Sequence, residues 1–158
     1  MTLDLNSLDS VKRCAEELQR VTDKIDVLVN NAGVMAIPNK ELTEDGFEKQ
    51  VGINHLGHFA LTGQILNLLK KSKNARIVNV ASSAHLFSRI DRDDLMLLKD
   101  GAYQSWKAYG NSKLANILFT RELTKKLYTK FDTNIAVLCC HPGNYAVLIP
   151  YLGLKIFV

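Results

Sequence analysis

The 158-residue sequence predicts an α/β domain built on an open parallel sheet, and three observations predict it. Three short apolar runs rich in β-branched residues, Ile25 to Val29, Arg76 to Val80 and Ile135 to Cys140, read as buried strands. Long stretches of helical pattern separate them, and alternation of strand with helix is how parallel strands are joined. Each strand also runs into a polar or glycine-bearing segment: Asn30-Asn31-Ala32-Gly33, Ala81-Ser82-Ser83 and His141-Pro142-Gly143. Ligands gather beyond the carboxyl ends of such strands, so the three segments become spatial neighbours.

The elements follow in order. A first helix is expected from near Ser7, its cap, to about Thr22, with Leu8, Val11, Ala15, Leu18 and Val21 as its apolar stripe. After the Ile25 strand a long helix is expected from Thr43 to about Lys71, because Thr43, Glu44 and Asp45 offer a cap and favourable negative charge. Phe47, Val51, Phe59, Leu61 and Ile65 form its core-facing side. The connection from His85 to Trp106 is longer than an ordinary loop and reads as a mobile insertion beside the site, part of a lid. A helix from Ser105 to about Tyr128 leads to the last strand, where Cys139 and Cys140 are expected to be buried.

Composition bounds the function. With 47% hydrophobic and 23% charged residues, the chain reads as one globular domain, 1–158, in a reduced intracellular setting. It contains no run of the roughly 20 apolar residues that a membrane-spanning helix requires. The net charge of +4 does not call for nucleic acid. Lys70, Lys71, Lys73 and Arg76, and likewise Lys125, Lys126 and Lys130, close expected helices, where cations complement the dipole. Cys14, Cys139 and Cys140 lack metal spacing, and His55 with His58 lacks a third ligand, so no metal is expected.

The segment with the clearest chemistry is Tyr109-Gly110-Asn111-Ser112-Lys113. Side chains four apart on a helix share a face, and an ammonium beside a phenol favours the phenolate, easing proton transfer. The pattern is weak alone, since Tyr103 and Lys107 repeat it. Six positions between the tyrosines turn the helix by roughly 240°, so at most one pair serves a common site. The strand-end segments break the tie.

Asn30-Asn31-Ala32-Gly33, Asn54 within Ile53-Asn54-His55-Leu56-Gly57-His58-Phe59, Ser82-Ser83, Tyr109-x-x-x-Lys113 and His141-Pro142-Gly143 resemble the ordered signature of the short-chain dehydrogenase/reductase family. The strings Ser112 to Phe119 and Asn54 to Phe59 resemble its retinol dehydrogenase-like branch. The resemblance implies an NAD(P)-dependent oxidoreductase that interconverts a carbonyl and an alcohol, on an apolar retinoid- or lipid-like substrate. Tyr109 would be the general acid or base. Lys113 would favour the phenolate and hold the nicotinamide ribose. Ser83, chosen over Ser82 as the second serine, would hydrogen-bond the substrate oxygen, and Asn54 would help hold a relay water. On the cofactor side the resemblance implies Asn30, Asn31, Ala32, Gly33, Pro142 and Gly143, with Gly33 letting backbone approach the cofactor. Asp4 would contact the adenine ring, its alternative being a helix cap. NADP is favoured over NAD by the branch alone.

The same resemblance marks departures. None of the glycines forms the family's phosphate loop, so the fold is expected to be an incomplete Rossmann-like, doubly wound, three-layer α/β/α sheet lacking its first strands, roughly 60 residues at ~30 per βαβ unit. An apolar strand edge would then be unpaired. After Gly143 the family continues with a Val and a Thr, where Tyr145 and Val147 stand here, before the apolar stretch Leu148 to Val158. The alternative function is therefore a catalytically incompetent, truncated remnant serving as a protein-interaction module. Members of the branch it resembles often carry an N-terminal membrane anchor, and none is expected in this sequence; cytoplasmic or endoplasmic-reticulum association and homo-oligomerisation stay open.

Overall fold

A computed structural model describes residues 1–130 and 135–143; Tyr145, Val147 and the apolar stretch after them lie outside the described residues. Helix α1 spans Leu8–Val21. The Ser7 hydroxyl caps it by accepting from the Ser10 N–H, and Asp45 Oδ2 accepts from the Leu8 N–H at 2.8 Å, which satisfies donors at the start of the helix. Val11, Cys14, Ala15 and Leu18 form its buried face, whereas Val21 is 66% exposed and falls outside the expected stripe.

The second helical region starts later than expected. Thr43 and Phe47 close a turn through the Thr43 N–H to Phe47 C=O bond at 2.8 Å and the Phe47 N–H to Thr43 Oγ1 bond at 3.1 Å. Gly46, at φ +81°, allows that reversal. The cap is instead Glu48, whose carboxylate accepts from the Gln50 and Val51 N–H groups at 3.0 and 2.9 Å. Helix α2 (Lys49–Val51) opens into a π-helical turn, Gly52–Leu56, continues as α3 (Gly57–Gln64), bends at Ile65 and ends as α4 (Leu66–Lys70). Val51, Leu61 and Ile65 are buried, but Phe59 is 53% exposed, packing at the surface against Phe119 with ring centroids 5.2 Å apart.

Strands β1 (Val27–Asn30), β2 (Arg76–Val80) and β3 (Ala136–Cys140) lie parallel in the order β1-β2-β3. Register pairs Leu28 with Ile77 and Ile77 with Val137, a row that packs into the core with α1, α3, α4 and the long helix α5 (Ser105–Lys130). The alternate row, Val29, Val78 and Leu138, looks the other way; Val29 and Leu138 are 42% and 50% exposed. Cys139 and Cys140 are exposed rather than buried, because nothing among the described residues fully covers that end of β3.

Between β2 and α5 the chain forms a 3₁₀ turn, Ser83–Phe87, and then a series of turns. The Asp94 carboxylate accepts from the Leu98 and Lys99 N–H groups, Leu97 is 2% exposed, and the Leu97 carbonyl accepts from Lys40 Nζ at 2.8 Å. The expected lid segment is thus pinned at its middle.

Candidate active site

Helix α5 carries Tyr109 and Lys113 one turn apart. Lys113 Nζ lies 5.6 Å from the centroid of the Tyr109 ring, and Trp106 meets the same ring edge-on at 6.0 Å. Lys113 is only 5% exposed, and burial lowers the pKa of its ammonium. One of its three donors goes to the carbonyl of Val80, at the end of β2, at 3.1 Å. The competing pair is built differently. Tyr103 precedes α5, and its hydroxyl donates to the Ile37 carbonyl at 2.7 Å while accepting from Gln50 Nε2 at 3.2 Å. Gln50 also accepts from the Ala36 N–H at 2.7 Å and donates to the Ser105 carbonyl at 2.9 Å. Tyr103 is a strut between loops.

Asn54, 1% exposed, sits in the π-helical turn and ties the loop after β1 to α5. Its Oδ1 accepts from the Val34 N–H at 2.8 Å, and its Nδ2 donates to the Val34 carbonyl and to Ser112 Oγ, each at 2.9 Å. Ser112 Oγ in turn donates to the Tyr109 carbonyl at 2.6 Å. Gly33 is exposed, yet a Cβ there would lie 2.6 Å from Asn54 Oδ1 and 3.8 Å from Lys113 Nζ. Its glycine therefore has a packing reason in this chain: any side chain would displace the amide of Asn54.

Asn30, 2% exposed, bridges the strands by donating to Asn79 Oδ1 at 2.8 Å and to Thr62 Oγ1 at 3.1 Å, while Asn79 Nδ2 donates to Thr120 Oγ1 at 2.9 Å. Asn31 and Ala32 are exposed beyond β1. The Ala32 carbonyl lies 2.8 Å from His58 Nε2, which must carry the proton for that bond. Burial holds His58 well below its ordinary range, at about 4.

Ser82 caps the 3₁₀ turn by accepting from the Ala84 N–H at 3.2 Å; the Ser83 hydroxyl forms no hydrogen bond among the described residues. Gly110 sets this segment against α5: a Cβ there would lie 2.7 Å from the Ala84 carbonyl and would overlap Ser88 Oγ. The backbone of residues 83–88 is thereby held against the residue adjoining Tyr109. Pro142 and Gly143 lie exposed beyond β3, with Gly143 at φ +83°. Asp4 is exposed at the other end of the described chain, its carboxylate accepting from the Asn6 N–H at 2.9 Å, and the cap of α1 is Ser7 rather than Asp4.

A nicotinamide cofactor is implied by the motif set, and the donor chemistry at the strand ends fits its ribose end. Among the described residues the one hydrogen bond of Lys113 goes to Val80, and the backbone of 31–33 and 141–143 is exposed at the carboxyl ends of β1 and β3. Among the described residues no group of three candidate metal ligands occurs. Sequence reading missed Ser112, Gly110 and Asn116. Asn116, three residues beyond Lys113, is 3% exposed and donates to the carbonyls of both Asn54 and Val80. The available signal was a polar residue in an apolar helical stretch.

Residues 1–92 match the short chain dehydrogenase family. The chain is 48% identical over 141 residues to human retinol dehydrogenase 14, and 45% identical to human retinol dehydrogenase 13, in each case over 89% of its own length. It spans about 40% of the length of those curated relatives. A crystal structure of an uncharacterized protein from Mycobacterium Paratuberculosis is similar at a TM-score of 0.81 and 45% identity, covering 93% of this chain and 51% of that one. The NADP complex of Pseudomonas aeruginosa RhlG is similar at a TM-score of 0.58 and 29% identity, covering 81% of this chain and 47% of that one.

Proposed function

Because the chain belongs to the short-chain dehydrogenase family, with the incomplete Rossmann-like sheet of that fold, we propose that it forms the catalytic half of an oxidoreductase that interconverts an alcohol and a carbonyl. One observation carries the reading: a buried ammonium, Lys113, held beside the Tyr109 ring and bonded, among the described residues, to the Val80 carbonyl alone. Burial strengthens its field at the phenol, because there is little water to screen it. In carbonyl reduction Tyr109 donates its hydroxyl proton to the substrate oxygen; in alcohol oxidation it takes that proton back. Ser83, at the start of the 3₁₀ turn, offers a hydroxyl to the same oxygen. Asn54 keeps the loop after β1 against α5, and relay of the proton toward Lys113 through a water near it is part of the proposal.

Lys113, the backbone of Asn31 to Gly33, and Pro142 with Gly143 would hold a nicotinamide nucleotide, which when bound supplies or accepts the hydride. Asp4 is assigned to its adenine end. NADP is preferred to NAD, in line with the RhlG complex and the retinol dehydrogenase likeness. Substrates are small apolar alcohols or carbonyls, retinoid- or lipid-like in keeping with the names of the relatives. Among the described residues no helix is long and apolar enough to cross a membrane. Titrating NADPH and NADH into the folded chain while following nicotinamide fluorescence tests the reading. Saturable binding, tighter for NADPH, is expected; no saturation by either in folded protein overturns it.

A further inference from the structure

We infer that Asn116 is a positioning residue of this centre: one side-chain amide that clamps the Asn54 and Val80 carbonyls together and so fixes where the Lys113 ammonium stands beside Tyr109. The inference rests on the proposed role of that pair. Its geometry is nonetheless independent of turnover.

The two carbonyls differ in origin. Asn54 belongs to the π-helical turn Gly52–Leu56, where the widened winding departs from the regular i to i+4 ladder. Val80 is the last residue of β2, immediately before the segment that leads to Ser83. Asn116 Nδ2 donates to the first at 3.0 Å and to the second at 3.1 Å, using both of its hydrogens. The Val80 carbonyl is also the acceptor of Lys113 Nζ at 3.1 Å. Asn116 and Lys113 therefore share one oxygen, and holding that oxygen in place holds the ammonium. The clamp is buried, with Asn54 at 1%, Asn116 at 3% and Lys113 at 5% exposure, so a broken bond would leave a carbonyl without water to replace the donor.

The orientation of the amide follows from the same contacts. Turning it over would set Oδ1 against two carbonyl oxygens, so the NH₂ must face them. Oδ1 then faces His55 Nδ1 at 3.0 Å and can only accept. His55 must carry its proton on Nδ1, leaving Nε2 bare in the neutral ring. That ring packs against both Phe59 and Phe119 at centroid distances of 6.1 and 5.9 Å, which keeps it in place to make the bond. A side chain holding the helix only by packing would impose no tautomer on a neighbouring histidine.

The test uses nitrogen-resolved NMR of the ¹⁵N-labelled chain at neutral pH, together with the ε-methylene signals of Lys113. In the wild type, His55 is expected as the Nδ1–H tautomer, and the Lys113 ε-protons are expected upfield because of the Tyr109 ring. Asn116→Ala and Asn116→Asp are both expected to lose the upfield shift while staying folded, the Asp variant because it returns an oxygen for His55 but sets another against the two carbonyls. Ile117→Val, which changes packing one residue away, should keep it. An Nε2–H tautomer in the wild type overturns the clamp without recourse to any variant. So does a Lys113 shift unchanged in folded Asn116→Ala or Asn116→Asp. If nucleotide binding fails while the His55 and Lys113 signatures hold, the functional reading falls and the clamp stands.

Discussion

Tyr103 with Lys107 and Tyr109 with Lys113 have the same spacing, yet the molecule places them in different surroundings. Tyr103 lies before the first turn of α5, and both directions of its hydroxyl are committed, to Ile37 and to Gln50. Tyr109 lies on the helix, faces a buried ammonium and is flanked by polar groups that tie α5 to other elements: Ser112 to Asn54, Lys113 and Asn116 to Val80. The surroundings of a Tyr-x-x-x-Lys pattern are thus set by its neighbours and not by its spacing. Two segments distant in sequence, the turn holding Asn54 and the end of β2, supply those neighbours here.

Four expected outcomes probe the contrast, from the largest to the smallest. Tyr109→Phe or Lys113→Met should lower the rate of nicotinamide-dependent carbonyl reduction by about 10³-fold, as expected for loss of a general acid or of the charge beside it, while Lys107→Met leaves it near the wild-type rate. Steady-state kinetics across the four proteins decide this, and equal losses from both lysines would erase the distinction between the pairs.

The second outcome concerns the loop after β1. His58 titrates at about 4 in the folded chain against an ordinary value of 6.5, and at 5% exposure it is shielded from water. As pH falls, the unfolded chain takes up the proton first. The stabilisation is thus full above about 6.5 and is lost as pH falls toward about 4, by at most about 3 kcal/mol. Urea unfolding at a series of pH values should show this decline, and His58→Gln should flatten it. An equally steep decline in the variant would place its origin elsewhere.

Gly110→Ala is expected to cost about 2 kcal/mol, because the added methyl meets a backbone oxygen as well as the movable Ser88 side chain. Since Ala84 and Ser88 must shift, activity should fall further than in a surface Gly63→Ala control, where a Cβ has nothing within 4 Å. The smallest effect is that of Tyr103→Phe, about 1 kcal/mol of stability from its lost hydrogen bonds, with the rate per folded molecule unchanged. Denaturant melts and active-site-normalised rates separate these two variants.

Much of the fold could be read from residue patterns. The limits of α1, β2 and α5 follow from one cap, one apolar run and one long helical stretch, each a local signal. The start of the second helix could not, because Thr43 looks like a cap until Gly46 and Phe47 turn it back on itself. Phe59 and the Cys139-Cys140 pair were misplaced for another reason: hydrophobic character says that a side chain can be buried, while only the arrangement of layers says whether something covers it. At the site, motif order sufficed to bring Asn54, Tyr109 and Lys113 into one region. The supporting bonds of Ser112, Gly110 and Asn116 were not legible, since each depends on which backbone carbonyl a distant strand or turn presents.

The contrast between the two pairs is tested most directly by nicotinamide fluorescence titration of NADPH into the folded wild-type chain and its Lys113→Met and Lys107→Met variants. Saturable binding that weakens at least about tenfold in Lys113→Met, roughly the 1.4 kcal/mol expected for losing a charged hydrogen-bond donor, and stays unchanged in Lys107→Met is the predicted result. Equal affinity in all three, or no binding by folded wild-type protein, would contradict it.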